Sequence, residues 1–173
     1  TSNYGLYMYA RVKTVHMRGN TINSPGAAIY LGVNAQYIDT DNNVLMNDSV
    51  LNSTGTADIY SYNAAGGIIN LTNVTIVDNN ITFNSQSNNT VNRIWYLDAN
   101  VTDSSGNAIG YANLTIRDVD SIAKYNELTD TSGDVARQAL PQHWVNRTGS
   151  YYYSNYTVNA TKAKIIKRLI MTT

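Results

Sequence analysis

Asp39 and Asp41 stand two residues apart in Tyr37-Ile38-Asp39-Thr40-Asp41, a spacing that points both carboxylates to one face of an extended strand. Asp78 falls in register with Asn42 when the segments are aligned as described below. Carboxylates so placed can ligate calcium through oxygen or act as a pair in glycoside cleavage. No lysine or arginine repeats on that face, and solvated loop acids are the favoured account of the cluster. His16 and His143 lie far apart and neither has a partner at ligand spacing, so a zinc site is not indicated. A nucleophile motif, a phosphate loop and a dinucleotide fingerprint are all absent. The expectation is no enzyme and no cofactor, with Asp39 and Asp41 as the calcium candidates.

A different chemistry recurs along the chain. The triplet Asn-x-Ser/Thr occurs eleven times, at Asn47, Asn52, Asn70, Asn73, Asn80, Asn88, Asn100, Asn113, Asn146, Asn155 and Asn159. With 24 asparagines and 32 serines and threonines in 173 residues, chance supplies only about four such triplets. Ten of the eleven carry threonine. The density predicts covalent N-glycans, hence surface positions and an extracellular location at the cell surface. Glycans there would also shield strand edges from unwanted pairing.

Composition agrees. Twelve basic and twelve acidic residues give a formal net charge of zero, which lacks the basic face that nucleic acid requires. Only 14% of residues are charged, while tyrosine alone contributes 14. No apolar run approaches the roughly 20 residues of a membrane-spanning helix, so no transmembrane segment is expected. The chain holds no cysteine, which disfavours a small disulfide-stapled secreted domain. The first residues lack a signal-peptide pattern, so the chain is read as processed or as a piece of a longer one.

The elements that must carry these residues are short strands. Val12–Ile22, Ala35–Leu45 and Leu71–Ile81 align without gaps, matching Val15 with Ile38 and Val74, and Asn20 with Asn43 and Asn79. A second set precedes each: Gly5–Tyr9, Ala28–Gly32 and Asp58–Tyr62, with a fourth copy expected at Ile94–Leu97. The alternation has period two, as strands require. Leu6, Ile29, Ile59 and Ile94 are predicted to point inward; Tyr7, Tyr30, Tyr60 and Trp95 are predicted to form an outward aromatic column suited to glycan contact. Asn20, Asn43 and Asn79 are expected at the turns. Loops are expected at 46–57, 64–70 and 82–92.

On these residues, the chain over roughly 4–97 resembles the right-handed parallel β-helix repeat family found in archaeal and bacterial surface-layer and adhesin-like proteins. The resemblance implies three or four rungs over residues 1–97. From about Trp95 the pattern changes. Val101–Ile116 with its Asp103-Ser104-Ser105-Gly106 turn, followed by Thr129-Asp130-Thr131-Ser132-Gly133-Asp134-Val135, resembles immunoglobulin-like sandwiches related to the regulatory domain of carboxypeptidases. Residues 98–173 are therefore expected to form a small β-sandwich, with Ala112, Leu114 and Ile116 on one face and final strands at 151–161 and 164–171. The basic run Lys162–Arg168 reads as an edge strand kept soluble by lysines, or as an anchor to an acidic neighbour.

The fold expected is all-β throughout. The function expected is structural: an N-glycosylated surface protein that stacks with copies of itself into a filament, sheath or surface layer. A glycan-binding adhesin module is the alternative, and a polysaccharide-cleaving β-helix enzyme a second.

Overall fold

The computed structural model describes residues 4–8, 14–32, 43–55, 57–62, 66–77 and 80–162. These form an all-β protein. Its strands are β1 (Leu6–Met8), β2 (Thr14–Arg18), β3 (Thr21–Ser24), β4 (Ile29–Leu31), β5 (Asn43–Ser53), β6 (Ile59–Ser61), β7 (Ile68–Ile76), β8 (Ile81–Phe83), β9 (Thr90–Leu97), β10 (Asn113–Arg117), β11 (Ala123–Leu128), β12 (Gln138–Asn146), β13 (Gly149–Tyr152) and β14 (Thr157–Thr161). Two compact units result, one from residues 1–96 and 139–154, the other from 97–138 and 155–173.

In the first unit the chain alternates between two parallel sheets. One stacks β1, β4, β6 and β8; the other stacks β2 and β3, then β5, β7 and β9. Parallel in-register pairing lines up like side chains, so each coil buries its apolar positions on those of the next. Leu6, Ile29, Ile59 and Ile81 form one inward column. Val15, Val44, Ile69 and Val91 form another, and Ile22, Leu51 and Ile76 a third. Together with Met8, Leu31, Met46, Leu71 and Val74 they make one continuous core.

The coil turns a corner within the second sheet. Gly19, Asp48 and Asn73 occupy equivalent places and all have left-handed backbone angles, with φ of 67°, 50° and 53°. Glycine, aspartate and asparagine are the residues that tolerate this region most readily. Side chains tie the corner between coils: Asn73 Nδ2 donates to Asp48 Oδ1 at 2.9 Å, and Arg18 Nε to Asp48 Oδ2 at 3.2 Å. A second repeated device is Asn-Ser-x-Gly. Ser24 and Ser53 pair in register, and each hydroxyl accepts the amide two residues on, from Gly26 and Gly55. The next coil then lies so close that a Cβ on Gly55 would sit 2.6 Å from the Pro25 carbonyl oxygen.

These registers correct the sequence alignment. Thr14 pairs with Asn43 and Asn43 with Ile68, so the corner belongs to Gly19, Asp48 and Asn73. Asn43 is a strand residue, while Ile38 and Asn79 lie outside the described residues. The segment expected as a loop at 46–57 is largely β5, residues 68–70 of the second already belong to β7, and only 84–89 of the third is loop. The fourth member of the Leu6 column is Ile81, not Ile94. At the first step the displacement is six residues, an even slip that keeps an alternating polar and apolar pattern intact, so period two alone cannot expose it.

The parallel sheet continues past β9 into the antiparallel hairpin β12–β13, which the sequence reading had placed in the C-terminal domain. Trp95 Nε1 donates to Gln142 Oε1 at 2.8 Å, and Arg147 Nε to the Ser87 carbonyl at 3.2 Å, fixing the hairpin to this unit. Val145 packs on the core.

In the second unit β10 lies between β11 and β14, both antiparallel to it. Ala112, Leu114 and Ile116 are buried on one face, as their alternation predicts. Asp103 and Asp130 build matching turns: each Oδ1 accepts two amides, from Ser105 and Asn107 in one case and from Ser132 and Asp134 in the other. Gly106 and Gly133 supply the positive φ. Among the described residues this unit has one three-stranded sheet and two isolated bridges, where two facing sheets were expected. The expected strand at 164–171 lies outside the described residues.

Candidate functional site: a tyrosine ladder and surface asparagines

Strand alternation turns Leu6 and Met8 inward and Tyr7 outward, and the same holds for Tyr30 in β4 and Tyr60 in β6. Parallel register then brings the rings together, since adjacent strands lie about 4.7–4.9 Å apart. Tyr7 and Tyr30 stack with centroids 5.2 Å apart, and Tyr30 and Tyr60 at 5.3 Å. Tyr4 joins at 4.3 Å from Tyr30, and Tyr62 at 6.4 Å from Tyr60. The ladder therefore holds five rings, of which the sequence reading identified three. Tyr4 and Tyr62 fall outside strands, where periodicity gives no signal. Burial, followed by the neighbouring phenols, raises the Tyr30 hydroxyl above its ordinary value.

Trp95 is not part of this column. It lies in the other sheet, bonded to Gln142, with the Arg93 guanidinium 5.6 Å from its ring, and Thr82 follows Tyr60 in the ladder instead. Asp39, Asp41 and Asp78 lie outside the described residues. Among the described residues no three histidine or carboxylate side chains come together as a metal site.

The two histidines differ in setting. His16 lines a groove of about 420 Å³ on the outer face of the parallel sheet, with Arg18, Leu45, Asn47, Asn70 and Thr72. His143 is buried and stacks on Tyr152 at 4.9 Å, its Nδ1 without a hydrogen-bond partner. Burial, then the nearby Arg93 cation, lowers its pKa below the ordinary 6.5. Arg93 continues the inward column of Met17, Met46 and Leu71, so a charged residue replaces an apolar one at the coil nearest the hairpin.

All eleven sequon asparagines are described, and none is buried. Asn73, Asn80, Asn88, Asn100, Asn155 and Asn159 are exposed; Asn47, Asn52, Asn70, Asn113 and Asn146 are half-buried. Several join outward ladders, with Asn52 Nδ2 donating to Asn23 Oδ1 at 3.1 Å and Asn92 Nδ2 to Asn70 Oδ1 at 2.8 Å. Of the basic run, Lys162 is described, and its ammonium donates to the Gly110 carbonyl; Lys164, Lys167 and Arg168 lie outside the described residues. No helix among the described residues is long and apolar enough to cross a membrane.

Compared with family models, curated proteins and solved structures, the chain matches none of them.

Proposed function

We propose that this chain is an N-glycosylated structural protein of a cell surface, built on a β-helix and assembling with copies of itself. The observation that carries the reading is the placement of the sequons. Strands β5 and β7 bury Val44, Met46, Leu71 and Val74 but keep Asn47, Asn52, Asn70 and Asn73 on outward positions. Outward placement is what transfer of a glycan to these asparagines requires.

Assembly is supported by the first coil. Leu6, Val15, Met17 and Ile22 are only half-buried, whereas their partners Ile29, Val44, Met46 and Leu51 are buried. Strands β1, β2 and β3 each pair on one side among the described residues, and such edges take up further strands, from a second copy or from preceding chain. Electron cryo-microscopy of material isolated from its source cells tests both parts. A regular polymer with sugar density on the sequon asparagines is expected. Discrete particles free of sugar overturn the reading.

A second reading, glycan binding, is favoured by Tyr4 and Tyr7, the exposed rings of the ladder, because an exposed aromatic face can stack on a sugar ring. It predicts glycan binding that is lost in Tyr7→Ala and Tyr60→Ala.

A further inference from the structure

We propose that hydrogen bonding at Nδ2 decides which sequons of the folded chain accept a glycan, so that Asn146 is open and Asn100 closed. The inference rests on the glycoprotein reading and specifies its sites. In the transfer, Nδ2 bonds to the anomeric carbon of an oligosaccharide carried on a polyprenyl pyrophosphate. That carbon's bond to the phosphate oxygen breaks, and the lipid pyrophosphate leaves with the electron pair. Nδ2 loses one of its two hydrogens as a proton to a base of the transferring enzyme.

Asn100 is exposed, and accessibility alone makes it the better acceptor. Both of its Nδ2 hydrogens are nevertheless in use. One goes to the Ser132 carbonyl at 3.0 Å, the other to Asp134 Oδ1 at 2.7 Å. The second is a bond to a carboxylate, the stronger kind. A sugar on Nδ2 must break one of the two and loosen the bridge between Asn100 and Asp134.

Asn146 presents the opposite arrangement. It opens the two-residue hairpin Arg147-Thr148, whose residues are exposed. Its Oδ1 accepts the Thr148 amide at 2.8 Å, the Thr148 hydroxyl at 2.8 Å and the Gly149 amide at 3.1 Å. Its Nδ2 makes no hydrogen bond among the described residues. Three donors on Oδ1 draw electron density toward oxygen, which makes the Nδ2 proton easier to remove. They also hold the carboxamide and the hydroxyl of the same sequon in one orientation. Between these extremes, Asn52, Asn73 and Asn113 each donate one Nδ2 hydrogen bond and keep the other hydrogen.

The test uses the whole chain, produced without sugar and purified folded. It is incubated with a single-subunit oligosaccharyltransferase and a polyprenyl-pyrophosphate-linked oligosaccharide, and the sites are read by glycopeptide mass spectrometry. Synthetic peptides spanning each sequon give the reference rates. Relative to its peptide, folded Asn146 is expected to react about tenfold more than folded Asn100, the factor that one hydrogen bond to a charged group represents. Asp134→Ala should raise modification of Asn100 by about tenfold, and Asp134→Asn by less, because a neutral acceptor remains. Asn146 should be unaffected by either. Folded Asn100 reacting as readily as Asn146, or Asn146 silent while its peptide reacts, overturns the inference. The glycoprotein reading fails separately: sugar-free protein from the source cells ends it and leaves the acceptor order untouched.

Discussion

Thr115 stands directly opposite Asn159 across the antiparallel pair of β10 and β14, and Asn113 stands opposite Thr161. Two sequons thus run past each other in register on one polar face, where Asn126 Oδ1 also accepts Asn113 Nδ2 and the Thr115 hydroxyl. Diagonal neighbours on a sheet lie about 7–8 Å apart, which leaves little room for two oligosaccharide roots. Occupancy at Asn113 and Asn159 is therefore expected to be mutually suppressive. Glycopeptide quantification of Asn113→Gln should show increased sugar at Asn159, and Asn159→Gln the reverse. Independent occupancies would remove the steric argument.

Tyr30 is the central ring of the ladder, touching Tyr4, Tyr7 and Tyr60. Aromatic pairs contribute about 0.5–1.5 kcal/mol each beyond area burial. Tyr30→Ala is expected to cost roughly 2–4 kcal/mol in denaturant unfolding, while Tyr62→Ala, with one distant partner, costs roughly 1 kcal/mol or less. Tyr30→Phe should stay close to the parent. Equal effects at Tyr30 and Tyr62 would show that the ladder stabilises nothing.

Stability should depend on pH in two separate windows. His143 has its folded-state pKa below 6.5, so the unfolded chain takes up the proton first. Stability therefore declines as pH falls below about 6.5 and levels off beneath the folded value. Urea midpoints at pH 7.5 and 5.5 should differ for the parent, and the histidine component should vanish in His143→Phe. Asp118 acts at lower pH. Burial pushes its carboxyl up, but the Lys124 ammonium at 3.0 Å and the amides of Ile122 and Asp120 outweigh it and hold it below 3.8. Its contribution is present above that value and lost as pH falls through the folded one.

Gly55 and Gly106 separate two uses of glycine. A Cβ at Gly55 meets two backbone oxygens of the preceding coil, 2.6 and 2.7 Å away. Gly106 has φ of 83° but open space around it. Gly55→Ala is expected to destabilise by roughly 1–3 kcal/mol through overpacking, and Gly106→Ala by about 1 kcal/mol or less through backbone strain. Thermal unfolding of the two variants should rank them in that order.

The inward Leu6, Ile29 and Ile59 and the outward Tyr7, Tyr30 and Tyr60 were legible because an aliphatic residue followed by tyrosine recurs in all three strands. The other sheet was not. Its coils are offset by 29 residues and then 25, and alternating strands look alike after an even slip. Ser24 and Ser53 would have given the register, since Asn-Ser-x-Gly occurs at both; the stronger tyrosine signal masked it. The two aspartate turns of the second unit were readable from their glycines, whose backbone requirement is local. The destination of β12–β13 was not, because a hairpin's own residues do not say which sheet edge it will join. Likewise, the sequon pattern located every candidate asparagine but could not show that Asn100 has both amide hydrogens engaged.

The path of the chain between the two units has a practical result for dissecting the protein. It leaves the first unit after Tyr96, returns at Ala139, and leaves again after Ser154. The hairpin held against β9 is thus covalently joined to the second unit at both of its ends. A protease cutting once near Leu97 would not release two folded bodies, because the hairpin stays clasped on β9 while still attached to the other piece. Clean separation needs cuts at all three crossings, and a gene fragment ending at residue 97 would lack part of the unit it was meant to isolate.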